Sequence, residues 1–452
     1  MALRKDLPPG PPYPAAIQSI GFWTRPLGFL ELCRARYGRR FTLRLPLTPP
    51  FVNLTDPADV KEVFTAPPDV LHPGRGARVL EPVVGSNSVI LLDEGAHMEQ
   101  RKLMLPAFHG ERMERLSGLM TEVADREVAS WPRETPLETH PRMQRLTLEI
   151  ILRAVFGLDP GPRLDGLRDR LGAMLAFGDR PISLLPIPME SLVGRALQRV
   201  GPYVRFLRMQ KEADRLIFEL IEERRREGRD GDDLLAMLLE ARHEDGSPMA
   251  EQELRDELMT LLVAGHETTA SSLAWAFDRL PHHPTVLGRL VAEIDAGDAD
   301  AYLTATIQEI LRRRPVLPNV APRLVVQPIE VGGWTYPAGV CLVANGYLLH
   351  HDPLIYPDPY EFRPERFLDK APGTYTWIPF GGGRRRCLGA SFAMLEMKLV
   401  LRSVLSTCDV RPIGKRAELA RRRNITIRPA AGASVLLGER RPAPIPAEVS
   451  AA

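Results

Sequence analysis

The pattern of apolar positions predicts a mainly helical protein with strands near both ends of the chain. The longest helical pattern runs from Glu251 to Leu280, and at the α-helical rise it would be about 45 Å long. Its apolar positions fall close to one stripe: Leu254, Leu258, Leu261, Leu262, Leu273 and Phe277. Alternating runs at residues 39–45, 51–54, 424–428 and 434–437 predict strands. We therefore expect a large helical body beside a smaller β region built from both ends.

The middle of the long helix interrupts its apolar pattern with Ala264-Gly265-His266-Glu267-Thr268-Thr269. A glycine and polar side chains inside a buried helix cost stability, and such conflicts tend to mark functional sites. A threonine hydroxyl can bond back to its own helix and open it locally, and a glutamate can relay protons. The alternative is a structural threonine with a surface glutamate.

A second unusual stretch, Phe380 to Ala390, places Cys387 after three glycines and three arginines. Consecutive glycines allow backbone to pass close to a bulky group. We expect a helix from about Leu388 to Leu405, whose dipole and neighbouring arginines would favour a thiolate. One thiolate suits a single bond to a soft metal, whereas zinc needs three or four ligands. The alternative is a structural cysteine after a glycine-rich turn.

Composition narrows the class of protein. The 452 residues carry 59 Lys and Arg against 57 Asp and Glu, a net charge of +2, so nothing suggests a nucleic-acid partner. The four cysteines are scattered and form no disulfide or zinc pattern, which favours a reducing compartment. The first twelve residues lack an apolar run long enough for a signal peptide or membrane span. We expect one cytoplasmic domain over residues 1–452 without a membrane anchor, ordered over about 7–437, with a flexible tail at 440–452.

The cysteine stretch resembles the haem-thiolate loop of cytochromes P450, Phe-x-x-Gly-x-Arg-x-Cys-x-Gly. Five residues fill that pattern: Phe380, Gly383, Arg385, Cys387 and Gly389. The long helix resembles the oxygen-binding helix of the same family through Ala264, Gly265, Glu267, Thr268 and Thr269. The resemblance runs from about Leu7 to Leu437. It implies the mainly α P450 fold, haem b as cofactor with Cys387 as the iron ligand, and Glu267 with Thr268 as catalytic residues.

The same resemblance implies contacts that hold the haem and its loop. His97, Arg101, Arg323 and Arg385 would bind the haem propionates, with His97 standing where many relatives have Trp. Glu309 and Arg312 share one helix face and would form a buried clamp with Arg366. By itself, a Glu-x-x-Arg pair is common and usually lies on the surface.

Apolar residues in segments that lie over the P450 substrate pocket are the candidate pocket residues. They are Val79, Leu80, Val83, Val84, Ile90, Phe177, Leu184, Val316, Leu317, Val320 and Ile425. For residues in the loop at 71–92, packing at the edge of a core is an equal alternative. An apolar pocket favours a fatty acid, terpenoid, steroid-like or polyketide substrate.

The implied activity is a monooxygenase that hydroxylates or epoxidises its substrate with O2. No flavin or nicotinamide domain fits in this length, so we expect a monomer that takes electrons from NAD(P)H through a ferredoxin or flavodoxin and its reductase. Lys102 and residues 384–386 could form a basic docking face for that donor. A peroxide-driven peroxygenase and a non-catalytic haem sensor are the alternatives. The Glu267–Thr268 pair argues against the peroxygenase, because peroxide needs no proton relay.

Overall fold

Helices make up most of the chain, and their bounds follow the apolar stripes of the sequence. The computed structural model of this protein describes residues 7–108, 111–176, 202–227, 233–297 and 299–440. The α-helices are α1 Ala15–Thr24, α2 Gly28–Tyr37, α3 Pro57–Thr65, α4 Pro73–Gly76, α5 Glu81–Val84, α6 Glu94–Met104, α7 Glu111–Ala129, α8 Thr139–Phe156, α9 Pro162–Ala176, α10 Pro202–Glu227, α11 Leu234–Glu240, α12 Glu251–Arg279, α13 Pro284–Ala296, α14 Ala301–Arg313, α15 Gly346–His350 and α16 Ala390–Thr407.

Helix α12 is the longest of the described helices, with 29 residues, as the sequence predicts. It packs against α8, α16, α14 and the strand at Thr426–Pro429. Most of its own side chains are buried, including the fully buried Trp275. Thr269 of α12 lies beside Glu396 of α16, so the helix that follows the cysteine loop rests directly on the oxygen-binding helix predicted by the resemblance.

The strands are short and lie mostly near the two ends of the chain. They are β1 Arg40–Leu43, β2 Phe51–Leu54, β3 Leu71–His72, β4 Pro136–Glu138, β5 Arg323–Val325, β6 Ile329–Val331, β7 Trp334–Tyr336, β8 Cys341–Ala344, β9 Cys408–Pro412, β10 Ala420–Arg423, β11 Thr426–Pro429 and β12 Ser434–Glu439. The largest sheet has the order β1-β2-β8-β5-β3, so early and late strands interleave as predicted. Strands β2 and β8 are parallel, and their register pairs Val52 with Leu342.

The main difference from the predicted strands lies near residue 425. Residues 426–428 of the predicted strand at 424–428 lie in β11, which pairs with β10 in a hairpin, whereas Asn424 and Ile425 form its turn. Asn424 adopts a left-handed φ of 52°, which belongs to a turn and which asparagine tolerates better than most residues.

Some predictions fall partly or wholly outside this description. Phe177, Leu184 and the tail beyond Arg440 lie outside the described residues. Among the residues that are described, no helix is long and apolar enough to cross a membrane.

Candidate active site

The cysteine loop is shaped by its glycines and by Phe64 of α3. A Cβ on Gly382 would lie 2.3 Å from the Phe64 ring, and one on Gly383 would lie 2.2 Å from the Phe64 carbonyl oxygen. Gly383 also has a φ of 63°, which disfavours other residues. The backbone N–H of Cys387 donates to the carbonyl oxygen of Phe380 at 2.9 Å and closes the loop.

Cys387 combines solvent accessibility with close surrounding by protein atoms. The residue is accessible, yet protein atoms surround it closely enough that burial raises the pKa of its thiol. The backbone N–H of Gly389 and the charges of Arg101 and Arg386 oppose that rise. Helix α16 begins at Ala390, two residues later than predicted. Burial outweighs the charges that the sequence predicts will favour a thiolate. A cationic metal at the sulfur would supply the missing stabilisation, because a coordinating thiol is deprotonated.

Four basic side chains from three parts of the fold gather near this loop. His97 and Arg101 come from α6, Arg323 from β5 and Arg385 from the loop. Burial and neighbouring positive charges lower the pKa of His97 to about 3, of Arg323 to about 9 and of Arg385 to about 10. Burial followed by the charge of Arg386 also lowers the pKa of Arg101, although the Cys387 thiolate would oppose this. Such a cluster is unfavourable without an anion.

Arg385 and Arg323 differ in whether the protein itself satisfies their hydrogen bonds. Arg385 donates to the carbonyl oxygen of Leu92 and, at 2.8 Å, to Asp93 Oδ1. Arg323 lies over the Phe64 ring at 4.5 Å, and its buried Nη1 has no hydrogen-bond partner among the described residues. An unpaired buried donor beside other cations fits a carboxylate-bearing cofactor, so the residues present suit the two propionates of a haem.

The middle of α12 is accessible at positions where polar and small residues interrupt its apolar pattern. Ala264 is exposed and Thr268 is partly exposed, although the helix is buried on both sides of them. The Thr268 hydroxyl donates to the Ala264 carbonyl oxygen at 2.6 Å, which is the predicted bond back to the helix. Gly265 has a different role, because a Cβ there would lie 3.2 Å from Ile151 of α8. Ala264 therefore borders the opening, while Gly265 allows close packing of two helices.

Glu267 is surrounded by hydrogen-bond donors. It accepts from Gln144 Nε2 at 2.8 Å, from Ser271 Oγ at 2.9 Å and from Arg423, and it lies 3.3 Å from His140 Nε2. Burial alone would raise the pKa of Glu267, but His140 and Arg423 outweigh it and hold that pKa well below its usual range. The carboxyl group is therefore ionised at neutral pH.

The partners of Glu267 were not predicted from the sequence. Gln144 and Arg423 are 123 and 156 residues away along the chain, so no local pattern could connect them with it. Both also line a groove of about 320 Å³ between α8, α9, α12 and β10, together with Leu148, Gly172, Leu175 and His266. Glu267 is connected to this groove through its hydrogen bonds with Gln144 and Arg423.

The three residues of the expected clamp come together. Glu309 and Arg312 have no exposed side-chain surface and approach to 2.6 Å. Arg366 Nε lies 3.3 Å from the same carboxylate. Arg312 also donates to the carbonyl oxygens of His350 at 2.7 Å and Pro359 at 2.9 Å. The clamp therefore ties α14 to the segment that leads to the cysteine loop.

The candidate pocket residues fall into three groups. Leu80, Val83, Ile90, Leu317 and Val320 are partly buried. Val79 and Ile425 are 45% and 40% exposed. Val84 and Val316 are in the core, and Val84 has no exposed surface at all, so it forms no wall of an opening in this structure.

The expected basic docking face is also different in detail. Lys102 is paired with Glu244 at 2.8 Å, and Arg385 turns inward to Asp93. Arg384 and Arg386 remain exposed. Arg386 borders a groove of about 360 Å³ with Lys398 and the apolar side chains of Trp377, Phe380, Met394 and Leu395.

A helical fold with an interior cysteine, a buried cation cluster and a threonine-bearing helix points to the haem-thiolate class of proteins. The family model described as Cytochrome P450 matches residues 8–435. The chain is 39% identical over 439 residues to a Mycobacterium tuberculosis protein named cytochrome P450 135B1, covering 95% of this chain and 91% of that protein. It is 36% identical over 436 residues to another, named cytochrome P450 138, covering 96% and 97%.

Solved structures agree on the fold. The crystal structure of the cytochrome P450DA heme domain has a TM-score of 0.82 and 25% identity, covering 96% of this chain and 98% of that one. Cyanobacterial CYP120A1 with retinoic acid bound has a TM-score of 0.80 and 22% identity, covering 96% of this chain and 100% of that one. This chain belongs to the cytochrome P450 family, whose members are haem-dependent monooxygenases.

Proposed function

We propose that this protein inserts one atom of O2 into a C–H bond of a hydrophobic small molecule, or epoxidises it, with Cys387 as the iron ligand. The observation that carries the proposal is the accessible Cys387 thiol, which lies among the charges of Arg101 and Arg386. Haem b, when bound, supplies the iron centre that activates O2. Everything else in the reaction depends on what the protein's own side chains hold or move.

The cation cluster would hold the cofactor. Arg323 Nη1, which has no partner among the described residues, would donate to one propionate. His97, Arg101 and Arg385 would complete the set, and the anion would oppose the burial and the repulsion between cations that lower their pKa values. Phe64, stacked under Arg323, would fix the direction of that guanidinium.

Glu267 and Thr268 would transfer protons towards the substrate side of the haem. Because Arg423 and His140 keep Glu267 ionised, the carboxylate accepts a proton only when one of its oxygens is released from these partners. The groove that Gln144 and Arg423 line would give water access to this route. The Thr268 hydroxyl, held by the Ala264 carbonyl oxygen, would order the water that carries the proton onward.

The substrate we propose is a fatty acid or terpenoid. The support is the apolar character of the partly buried candidates Leu80, Val83, Ile90, Leu317 and Val320. An apolar wall recognises shape and area rather than charge. Screening fatty acids, terpenoids, steroids and polyketides for a shift in haem spin state tests the class, and a response limited to small polar compounds would contradict it.

We propose a ferredoxin-type electron donor that docks at the apolar groove bordered by the exposed Arg386, with the exposed Arg384 of the same loop adding positive charge. Complementary charge speeds the encounter between such partners. Replacing Arg386 by Ala should slow reduction by an acidic ferredoxin, and the rate should depend less on salt. Lys102→Ala is a matched control, because Glu244 already neutralises that lysine. Equal effects of the two variants would contradict this docking face.

Turnover under ¹⁸O2 tests the whole proposal. With NADPH, ferredoxin reductase and ferredoxin, the product should contain ¹⁸O, and the ferrous carbon monoxide complex should show the thiolate-type spectrum. Cys387→Ser should lose that spectrum. Product formed only from labelled peroxide would indicate the alternative peroxygenase, and haem binding without any turnover would indicate a sensor.

A further inference from the structure

A short segment between α11 and α12, residues 241–250, is folded as a tight hairpin that we call the strap. His243 N–H donates to the Ser247 carbonyl oxygen at 2.9 Å, and Gly246 N–H donates back to the His243 carbonyl oxygen at 2.9 Å. Gly246 has a φ of 84°. The strap therefore holds the His243 side chain in a defined direction.

The His243 imidazole lies between two carboxylates on different helices. Its Nδ1 is 3.1 Å from Glu99 Oε1 of α6, and its Nε2 is 3.1 Å from Glu253 Oε2 of α12. A neutral imidazole has one N–H and can donate to only one of them, so both contacts are hydrogen bonds only in the imidazolium form. Burial lowers the pKa of His243, but the two carboxylates outweigh it and raise that pKa above its usual value.

The surrounding charges add to the same link. Glu244 N–H donates to Glu99 Oε1 at 3.3 Å, and the Glu244 carboxylate pairs with Lys102 of α6 at 2.8 Å. Asp245 in the strap also interacts with the His243 charge. On the other side, Glu253 accepts from the Ala250 N–H at 3.0 Å. The strap is therefore joined both to α6 and to the start of α12.

Helix α6 also carries His97 and Arg101. We propose that His243 is a pH-dependent clamp: in its protonated form it holds α6 and α12 together. This would keep His97 and Arg101 of α6 in position to bind the haem. The inference rests on the proposed haem site. A histidine whose pKa is raised in the folded protein gives its full stabilisation below its ordinary pKa of about 6.5, and loses it as pH rises through the raised value. The clamp therefore holds in mild acid and opens in alkali.

Transfer of haem from the holoprotein to excess apomyoglobin tests the clamp without any turnover. Between about pH 6 and about pH 9, the release rate of the unaltered protein should rise about fivefold, as expected for losing a partly exposed ion pair. His243→Gln should release haem at the faster rate at both pH values. Glu99→Gln keeps an acceptor but removes one charge, so the rise should shift to lower pH.

His282→Gln is the matched control, because the His282 ring bonds the carbonyl oxygens of Asp278 and Gly414 and no carboxylate. It should retain the pH dependence of the unaltered protein. A release rate that does not change with pH, or that rises equally in His243→Gln, would overturn the clamp. Failure to bind haem would refute the proposed site instead. NMR titration of His243 would then decide the clamp: a pKa that Glu99→Gln lowers supports it, and one that does not respond overturns it.

Discussion

The strongest test of the site is the pair of Arg423 and Glu267. Arg423 comes from β10 and is 6% exposed, and Glu267 lies in the middle of α12 with 18% of its side chain exposed. Replacing Arg423 by Met keeps an unbranched apolar stem and removes the charge. Glu267 would then keep Gln144 and Ser271, at 2.8 and 2.9 Å, and His140 at 3.3 Å.

The size of the effect follows from what remains. Removing one partner of a buried ion pair costs about 3–5 kcal/mol when the other charge is left alone. Here three polar side chains and the solvent of the groove remain, so we expect a loss of about 2 kcal/mol in the free energy of unfolding at neutral pH. The loss should shrink in acid, because Glu267, with its lowered pKa, contributes stability above its unfolded value of about 4.3 and loses it as pH falls through the folded one.

Urea unfolding of four proteins measures this as a double-mutant cycle. These are the unaltered chain, Arg423→Met, Glu267→Gln and the double variant. The coupling between the two sites should be about 2 kcal/mol at pH 7. In the Glu267→Gln background, Arg423→Met should cost far less than in the unaltered chain. A coupling below about 0.5 kcal/mol, the usual limit for independent sites, would refute the assignment of Arg423 as the charge that holds Glu267.

Three further predictions follow from the same structure. Burial raises the pKa of Glu257 to about 8, so the unaltered protein loses stability as pH rises above about 4.3. In urea unfolding, the free energy of unfolding of Glu257→Gln should therefore gain on that of the unaltered protein between pH 5 and 8. A difference between the two that stays constant with pH would contradict this. Gly172→Phe should fill the groove beside Glu267 and divert more reducing equivalents to hydrogen peroxide. Gly166→Phe on the same helix, where a Cβ meets only the tip of Arg170 at 3.9 Å, should not, and equal peroxide yields would exclude the groove as a proton route. Thr268→Ala should keep haem binding but raise the peroxide yield, and unchanged coupling of electrons to product would refute the role of its hydroxyl.

Features that depend on residues close together in the chain could be predicted from the sequence. The bounds of α12 follow from its apolar stripe and from Pro281, and the bond from Thr268 to the Ala264 carbonyl oxygen follows from helix geometry. The mixed sheet of early and late strands was also expected. These features depend on periodicity and local hydrogen bonding, which the order of residues already contains.

Features that depend on distant residues could not be read in this way. Lys102 has the charge expected of a docking residue, but its ion pair with Glu244 neutralises that charge. Val84 has an apolar side chain, as expected of a pocket residue, but that side chain has no exposed surface. Gly265 matches the family pattern by residue type, and only the tertiary structure shows that its missing Cβ makes room for Ile151.

The sequence by itself determined the family, the position of Cys387 in a glycine-rich loop and the position of Glu267 and Thr268 on one buried helix, because these are set by residue type and short spacing. Only the tertiary structure decided the charge state of Glu267, the inward direction of Arg385 and the link from His243 to two helices. The physical reason is that burial and electrostatic partners act through space. Residues such as His140, Gln144 and Arg423 become neighbours of Glu267 only when α8, α12 and β10 have packed together.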